Sequence, residues 1–385
     1  MTAMKLILSI VAGIVVGIIG AILVIWQPKP NTLGIQTERS IEVYGFQPFW
    51  LLDSAHTPYQ DYITAFNYFA LQLSADGSVR RLNTPTEQEP GYTNLTSERV
   101  RTLLSQLNQQ GIRTALTVQN ADEESISQLL ITPAQSARNM MDDITPIMRE
   151  YQFDELNIDI ESFAYAAPDK QEKFTLFVAE VDRIMDEEDL GILSIDILPI
   201  SLVSERLTDT EALDEYIDLF ILMTYDYHTS GSYIAGPVAP VGGAGSSREF
   251  DITVSIQEAM RQTSPDKILM GIPTYGYEWD TLSTEYYAAS IPGTGKIVTH
   301  KQVQKTIEDC NRSCVIRRDE DTLQPYLTIP EEGGYYRQLY YEDAESIRYK
   351  ARMAERYGLR GIAIWALGYE PMSVTETFES FVSDE

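Results

Sequence analysis

A chain of 385 residues, 44% hydrophobic and 10% aromatic, has the length and apolar content to bury one large core, which excludes intrinsic disorder. Its 57 acidic and 29 basic residues leave a formal net charge of −28. Phosphate binding needs basic surface, so nucleic acid is excluded as a partner while a neutral sugar polymer is compatible. Two cysteines and the scattered His56, His228 and His300 do not fill a zinc site, and no metal or cofactor is expected.

Leu6 to Trp26 is an apolar run broken only by Ser9 and small residues, long enough to cross a hydrocarbon core of about 30 Å as a helix. It ends Leu23-Val24-Ile25-Trp26-Gln27-Pro28, without the small-x-small exit of a cleaved signal peptide, so residues 1–27 read as an N-terminal transmembrane signal anchor. Lys5 and Lys29 flank it, and charge asymmetry barely orients it. A Pro-rich polar tether follows over residues 28–40.

From residue 41 onward, strand-like segments are expected at Glu42 to Phe46, Ala65 to Leu71, Arg113 to Val118, Glu155 to Ile160, Leu193 to Leu198, Leu219 to Met223, Ile268 to Gly271 and Gly361 to Trp365. Amphipathic helical stretches separate most of them. Between Ser97 and Gln110, Val100, Leu103, Leu104 and Leu107 form one stripe, which Gly111 terminates. Ala137, Met141, Ile144 and Met148 form another. Strand then helix, eight times, predicts an α/β chain folded as a TIM (β/α)8 barrel over residues 41–385, with a doubly wound sheet as the alternative. The rhythm breaks between Trp279 and Tyr340, where a strand-like Tyr326-Leu327-Thr328-Ile329 stands among Gly, Pro and Tyr. Residues 280–340 therefore read as a small α+β insertion after strand 7, before a helix from Asp343 to Tyr357. Outside the cytoplasm, Cys310 and Cys314 can close a small disulfide there.

The stretch Phe153-Asp154-Glu155-Leu156-Asn157-Ile158-Asp159-Ile160-Glu161 carries the most chemistry. A strand repeats every two residues, so Asn157, Asp159 and Glu161 share one face and Leu156, Ile158 and Ile160 the other. Two acids adjacent on a buried face repel and resist desolvation, which raises the pKa of one toward the range of a proton donor near neutrality. Glu161, nearest the C-terminal end of the strand, is the expected donor. An edge strand with one wet face would show the same pattern. Phe153, the aliphatic alternation and the helical stretches on both sides argue instead for a central strand of a parallel βα unit.

Four strand ends, in order, carry a family resemblance. Phe153 to Glu161 resembles the fourth-strand signature D-G-x-D-x-D-x-E of glycoside hydrolase family 18, the chitinase-like TIM barrels. Met223-Thr224-Tyr225-Asp226-Tyr227-His228 is similar to its sixth-strand M-x-Y-D motif, Lys267 to Gly276 to its seventh strand, and Gly358 to Gly368 to its eighth strand with a tryptophan, Trp365. The resemblance covers nearly everything after Ser40. Two departures stand out. Glu155 replaces the usual glycine, and Asn157 replaces the first aspartate of chitinases, as in the N-x-D-x-E form of the spore-cortex and peptidoglycan-acting branch. Thr117-Val118-Gln119-Asn120 also differs from the S-x-G-G of chitinases. Asn157 weakens the case for chitin, and the third-strand ending points to a divergent branch.

The resemblance implies substrate-assisted catalysis, in which the sugar supplies the second nucleophile. Glu161 would protonate the glycosidic oxygen while the 2-acetamido carbonyl attacks C1, and would then activate water. Asp159 would accept the acetamido N–H and hold Glu161 protonated, Tyr225 would donate to the acetamido carbonyl, and Asn157 would hydrogen-bond Asp159. Asp226 would bind sugar hydroxyls or orient the site, and Trp365 would floor the cleavage site. Tyr44, Phe46 and Trp50 near the first strand, with Tyr275 and Tyr277 after the seventh, would extend a stacking groove, and His228 would line the cleft. The expected function is a membrane-anchored retaining hydrolase of β-1,4-linked N-acetylglucosamine-containing glycans, chitin oligosaccharides or peptidoglycan, with its barrel on the extracytoplasmic side of a single-pass anchor. The alternatives are a non-catalytic sugar-binding protein on the same barrel and an anchored scaffold. Asp159, Glu161 and Tyr225 together favour catalysis.

Overall fold

The computed structural model describes residues 41–245, 250–310, 314–370 and 372–382. The expected anchor and tether, residues 1–40, lie outside them. Among the described residues no helix is long and apolar enough to cross a membrane.

Eight strands close into a barrel: β1 (Glu42–Pro48), β2 (Ala65–Gln72), β3 (Arg113–Asn120), β4 (Glu155–Ile160), β5 (Ile192–Ile197), β6 (Leu219–Leu222), β7 (Ile268–Pro273) and β8 (Gly361–Trp365). Each pairs with its sequence neighbours in parallel register, and β1 pairs with β8 through Glu42 opposite Gly361. That closing pair rules out the doubly wound sheet, whose edges stay open.

Period-two alternation divides the side chains of each strand between two buried layers. In β4 the outward Leu156, Ile158 and Ile160 join the large core under the helices, and all six residues are buried. The helix Glu98–Gln109 starts where the Ser97 hydroxyl accepts from the Val100 amide and buries Val100, Leu104 and Leu107. Each of these burials contributes roughly 1.5–3 kcal/mol. Gly111, at φ +76°, turns the chain back toward β3.

Strand–helix alternation fails once. Between β1 and β2 only two 3-10 turns occur, Phe49–Leu51 and Tyr59–Asp61. Pro58 opens the second turn; a proline inside a helix there would lack a donor and clash with the preceding turn. After β5 the helix is a single turn, Thr210–Leu213. After β7 the chain builds a five-stranded antiparallel sheet in the order Lys296–Thr299, Tyr275–Thr281, Tyr336–Tyr340, Pro325–Pro330 and Val315–Arg318. The helix His300–Asp309, closed at its start by a capping box between Thr299 and Gln302, packs with it. Cys310 and Cys314 are disulfide-bonded, with Cα atoms 5.7 Å apart. The barrel resumes with the helix Ala344–Tyr357.

The interior of the barrel is lopsided. Tyr44, Phe46, Ala65, Phe69, Leu219, Ile221, Leu269 and Ala363 fill the side formed by β1, β2 and β6–β8. The inward positions of β3–β5 are mostly polar instead: beyond Ala115 and Ile192 stand Thr117, Gln119, Glu155, Asn157, Asp159, Ser194 and Asp196. Strand register sets Thr117 beside Asn157, Gln119 beside Asp159 and Asn157 beside Ser194.

Candidate active site

At the C-terminal ends of the strands, where barrel loops converge, a cavity of about 510 Å³ is lined by Glu161, Tyr225, Asp226, Arg206, His228, Tyr227 and the apolar Phe163, Leu198, Pro199, Ile200, Met223 and Phe250. Glu161 follows β4 directly, and its amide donates to Asn120 O at 3.0 Å, so ladder geometry fixes where its side chain leaves the strand.

One step down the same face, Asp159 is 2% exposed, and its Oδ1 is buried with no hydrogen-bond partner among the described residues. Burial, then the charges of Glu161 and Asp196, push its carboxyl well above the usual carboxylate range, and the Gln119 amide pulls the other way. Gln119 is itself held by a 2.6 Å bond from Gln72 Nε2. Burial also raises Glu161, and the neighbouring charge that adds to it is Asp226. Asp226 was expected to bind sugar. It sits at a left-handed φ of 58°, a conformation that persists only where surrounding contacts hold it. Those contacts are Tyr275 Oη, donating to Oδ1 at 2.5 Å, and Tyr277 Oη at 3.1 Å.

Tyr225 is raised well above the usual phenol range by burial and by Asp196, Glu161, Asp226 and Asp159. It stays protonated and remains a donor. Gly271 makes room for it: a Cβ there would lie 2.8 Å from Tyr225 Cε1 and 2.5 Å from Leu222 O.

Beneath these groups runs a buried hydrogen-bond network that ends on Glu155, which is 0% exposed. Its Oε1 accepts from Ser194 Oγ at 2.5 Å and Tyr44 Oη at 2.8 Å, and its Oε2 from Arg113 Nε at 2.9 Å. Arg113 also pairs with Glu42. Asn67 Nδ2 donates to Tyr44 Oη at 2.7 Å. Asn157 Nδ2 donates to Ser194 Oγ at 3.1 Å and to Asp196 Oδ1 at 3.2 Å, and its Oδ1 accepts from Thr117. Burial raises the Glu155 carboxyl, against Arg113 and the hydrogen bonds from Ser194 and Tyr44. A buried carboxylate needs this many donors.

Several expected groove residues lie deeper than the sequence suggests. Tyr44 is 0% exposed, and its hydroxyl serves Glu155 rather than a sugar. Phe46 is 2% exposed and packs edge-on against Trp365 at 5.8 Å. Tyr275 is 3% exposed and orients Asp226. Asn157 is fully buried and bonds Asp196, not Asp159. Trp365 is half-buried, with Phe69 edge-on at 4.6 Å. Trp50 remains half-exposed beside Phe69. His228 Nδ1 meets Pro237 O at 2.9 Å while the ring lines the cavity.

Sequence reasoning missed Asp196, raised by burial and by Glu161 and Glu155 against the Asn157 hydrogen bond. The alternation of Ser194 and Asp196 in β5 carried the same polar-stripe signal as β4. It also missed Arg206, which no motif marks.

The sequence model described as glycosyl hydrolases family 18 matches residues 51–370. The cortical fragment-lytic enzyme of Bacillus subtilis (strain 168) is 25% identical over 347 residues, covering 89% of this chain and 73% of that enzyme. The spore cortex-lytic enzyme SleL of Bacillus cereus superposes with a TM-score of 0.69 at 21% identity, over 89% of this chain and 74% of the other. The Group IV chitinase of Ostrinia furnacalis superposes at 0.74 and 18% identity, over 89% of this chain and 100% of the other. With a closed parallel barrel, the Asp159–Glu161 pair at its mouth and a family match across residues 51–370, this chain belongs to the glycosyl hydrolases of family 18 and is a glycoside hydrolase.

Proposed function

We propose that the chain cleaves β-1,4-linked N-acetylglucosamine-containing glycans with retention, by substrate assistance, and that peptidoglycan rather than chitin is its polymer. The observation that carries this reading is the buried Asp159 Oδ1, which lacks a donor beside the cavity-lining Glu161. An acetamido N–H supplies the missing donor, and an unmet buried acceptor costs about 1–3 kcal/mol until it is met. Desolvation and the Asp226 charge raise the Glu161 carboxyl, which favours the protonated form that donates to the leaving oxygen. The protonated Tyr225 offers its O–H to the acetamido carbonyl as that oxygen attacks C1. Likeness to a cortical fragment-lytic enzyme and the asparagine at position 157 support the choice of polymer.

The apolar run from Leu6 to Trp26 supports a single-pass anchor with the barrel outside the cytoplasm. Protease added to intact cells should remove the barrel; a fully protected barrel contradicts the anchor orientation.

The test is product analysis by mass spectrometry on purified peptidoglycan and chitooligosaccharides, with Glu161→Gln alongside. Products from peptidoglycan that fall by 10²–10⁴-fold in the variant are the expected result. Equal product from both proteins would remove Glu161 from the chemistry. Equal binding with no product from either protein would favour a sugar-binding role.

A further inference from the structure

We propose that Arg206 receives a carboxylate-bearing substituent of the glycan and makes the cavity selective for acid-substituted N-acetylglucosamine polymers over neutral ones. The inference rests on the glycosidase reading above.

Arg206 lies between the 3-10 turn Pro199–Leu202 and the helix Thr210–Leu213, on the wall of the cavity that also holds Glu161, Tyr225 and Asp226. Its backbone is held in place, because Gln171 Nε2 donates to Arg206 O at 2.7 Å and the flanking Leu207 and Thr208 are buried. The guanidinium is under-used. Nη1 donates to Glu205 O at 2.9 Å, whereas Nε is buried with no partner among the described residues. Arg206 enters no ion pair among the described residues, although the chain carries 57 acids against 29 bases.

A guanidinium presents five N–H donors in a planar fork that matches a carboxylate and keeps its charge at any working pH. A buried N–H without an acceptor is costly, and an anion seated on the fork removes that cost. Among the described residues, the other charged groups on this wall, Glu161 and Asp226, repel an anion. An acidic substituent is therefore accepted only with its charge toward Arg206. A neutral polymer gains nothing from this arrangement. N-Acetylglucosamine polymers that alternate with a 3-O-lactyl sugar carry such a group, either as the free lactyl carboxylate or as a carboxylate of an attached peptide. Chitin carries neither.

Steady-state kinetics of the full chain, Arg206→Gln and Arg206→Lys on three glycans test this. The glycans are a neutral chitooligosaccharide, a peptide-free oligosaccharide with lactyl carboxylates, and the same glycan bearing peptides. The ratio of kcat/KM for carboxylate-bearing over neutral glycan should fall at least tenfold in Arg206→Gln, through KM, and recover in part in Arg206→Lys. Whichever acidic glycan shows the fall identifies the source of the carboxylate. An unchanged ratio overturns the proposal, even where the overall rate drops. If the native chain cleaves none of the glycans, the glycosidase reading fails separately, and calorimetric binding of the same glycans still decides. Affinity lost by Arg206→Gln only for the acidic glycans upholds the role of Arg206, and equal affinity overturns it.

Discussion

Glu155 stands where related signatures carry glycine, and the chain has rearranged its interior around the extra carboxylate. Ser194 must donate to that charge, so the remaining lone pairs of its oxygen accept from Asn157 Nδ2. This fixes the Asn157 amide with its second N–H on Asp196 and its oxygen toward Thr117. The carboxylate lost at position 157 thus reappears one same-face step lower, paired with Arg113. Removing one partner of a buried ion pair typically costs 3–5 kcal/mol. Glu155→Leu should therefore lower the unfolding free energy by about that much in urea, and Arg113→Met in the same chain should restore part of it; a loss under about 1 kcal/mol, or simple additivity, contradicts the network. Asp226 acts on charge rather than packing. Its negative charge raises Glu161, and the donor works only when protonated, so activity falls as pH rises through the Glu161 pKa. Asp226→Asn lowers that pKa, and the alkaline limb of kcat/KM should move to lower pH. A stationary or alkaline-shifted limb would contradict this.

Among elements, β6 and β7 set the position of Tyr225 through an absent side chain. A Cβ at Gly271 meets backbone at Leu222 O as well as the Tyr225 ring, and backbone cannot rotate away. Overpacking of this kind costs about 1–3 kcal/mol. Gly271→Ala should lose that stability in a melt and also lower kcat more than KM changes, because Tyr225 is displaced; a fully active variant contradicts the role given to the close approach. The barrel strands and the polar stripe of β4 were legible because period two and aliphatic runs determine them locally. The depth of an aromatic residue was not. Tyr44 and Phe46 lie inside β1 and Tyr275 opens a strand of the antiparallel sheet, whereas Trp365 ends β8; the stagger of a closed barrel decides which rings of its strands reach the mouth, and stagger emerges only when β1 meets β8. Glu155 was visible as a departure from the signature. Its partner Arg113 was not, because that pairing depends on β3 lying beside β4 with Ala115 opposite Glu155.

Across the whole molecule, the ring of loops at the barrel mouth is tied together partly by a buried acid. Glu370, 4% exposed, follows β8; its Oε2 accepts from Gly368 N, its backbone oxygen meets His56 from the β1 loop at 3.1 Å, and its Oε1 has no partner among the described residues. Burial pushes its pKa up to about 7. An acid raised on folding stabilises the fold below its unfolded pKa, near 4.3, and that contribution is lost as pH rises through about 7. The span corresponds to roughly 4 kcal/mol. Glu370→Gln, which cannot ionise, should gain stability relative to the native chain between pH 4.5 and 7.5, and a difference independent of pH would contradict a buried neutral carboxyl. The charge of −28 falls on a surface that phosphate polymers avoid, leaving the mouth of the barrel, where Glu161, Tyr225 and Arg206 line one cavity, as the place where a glycoside is handled. Substrate assistance is the central claim about that mouth, and the configuration of the newly released sugar tests it most directly. Proton NMR taken within the first minutes of hydrolysis, before mutarotation, should show the β-anomer accumulating first. An α-anomer appearing first would mean inversion by an activated water and would contradict the account.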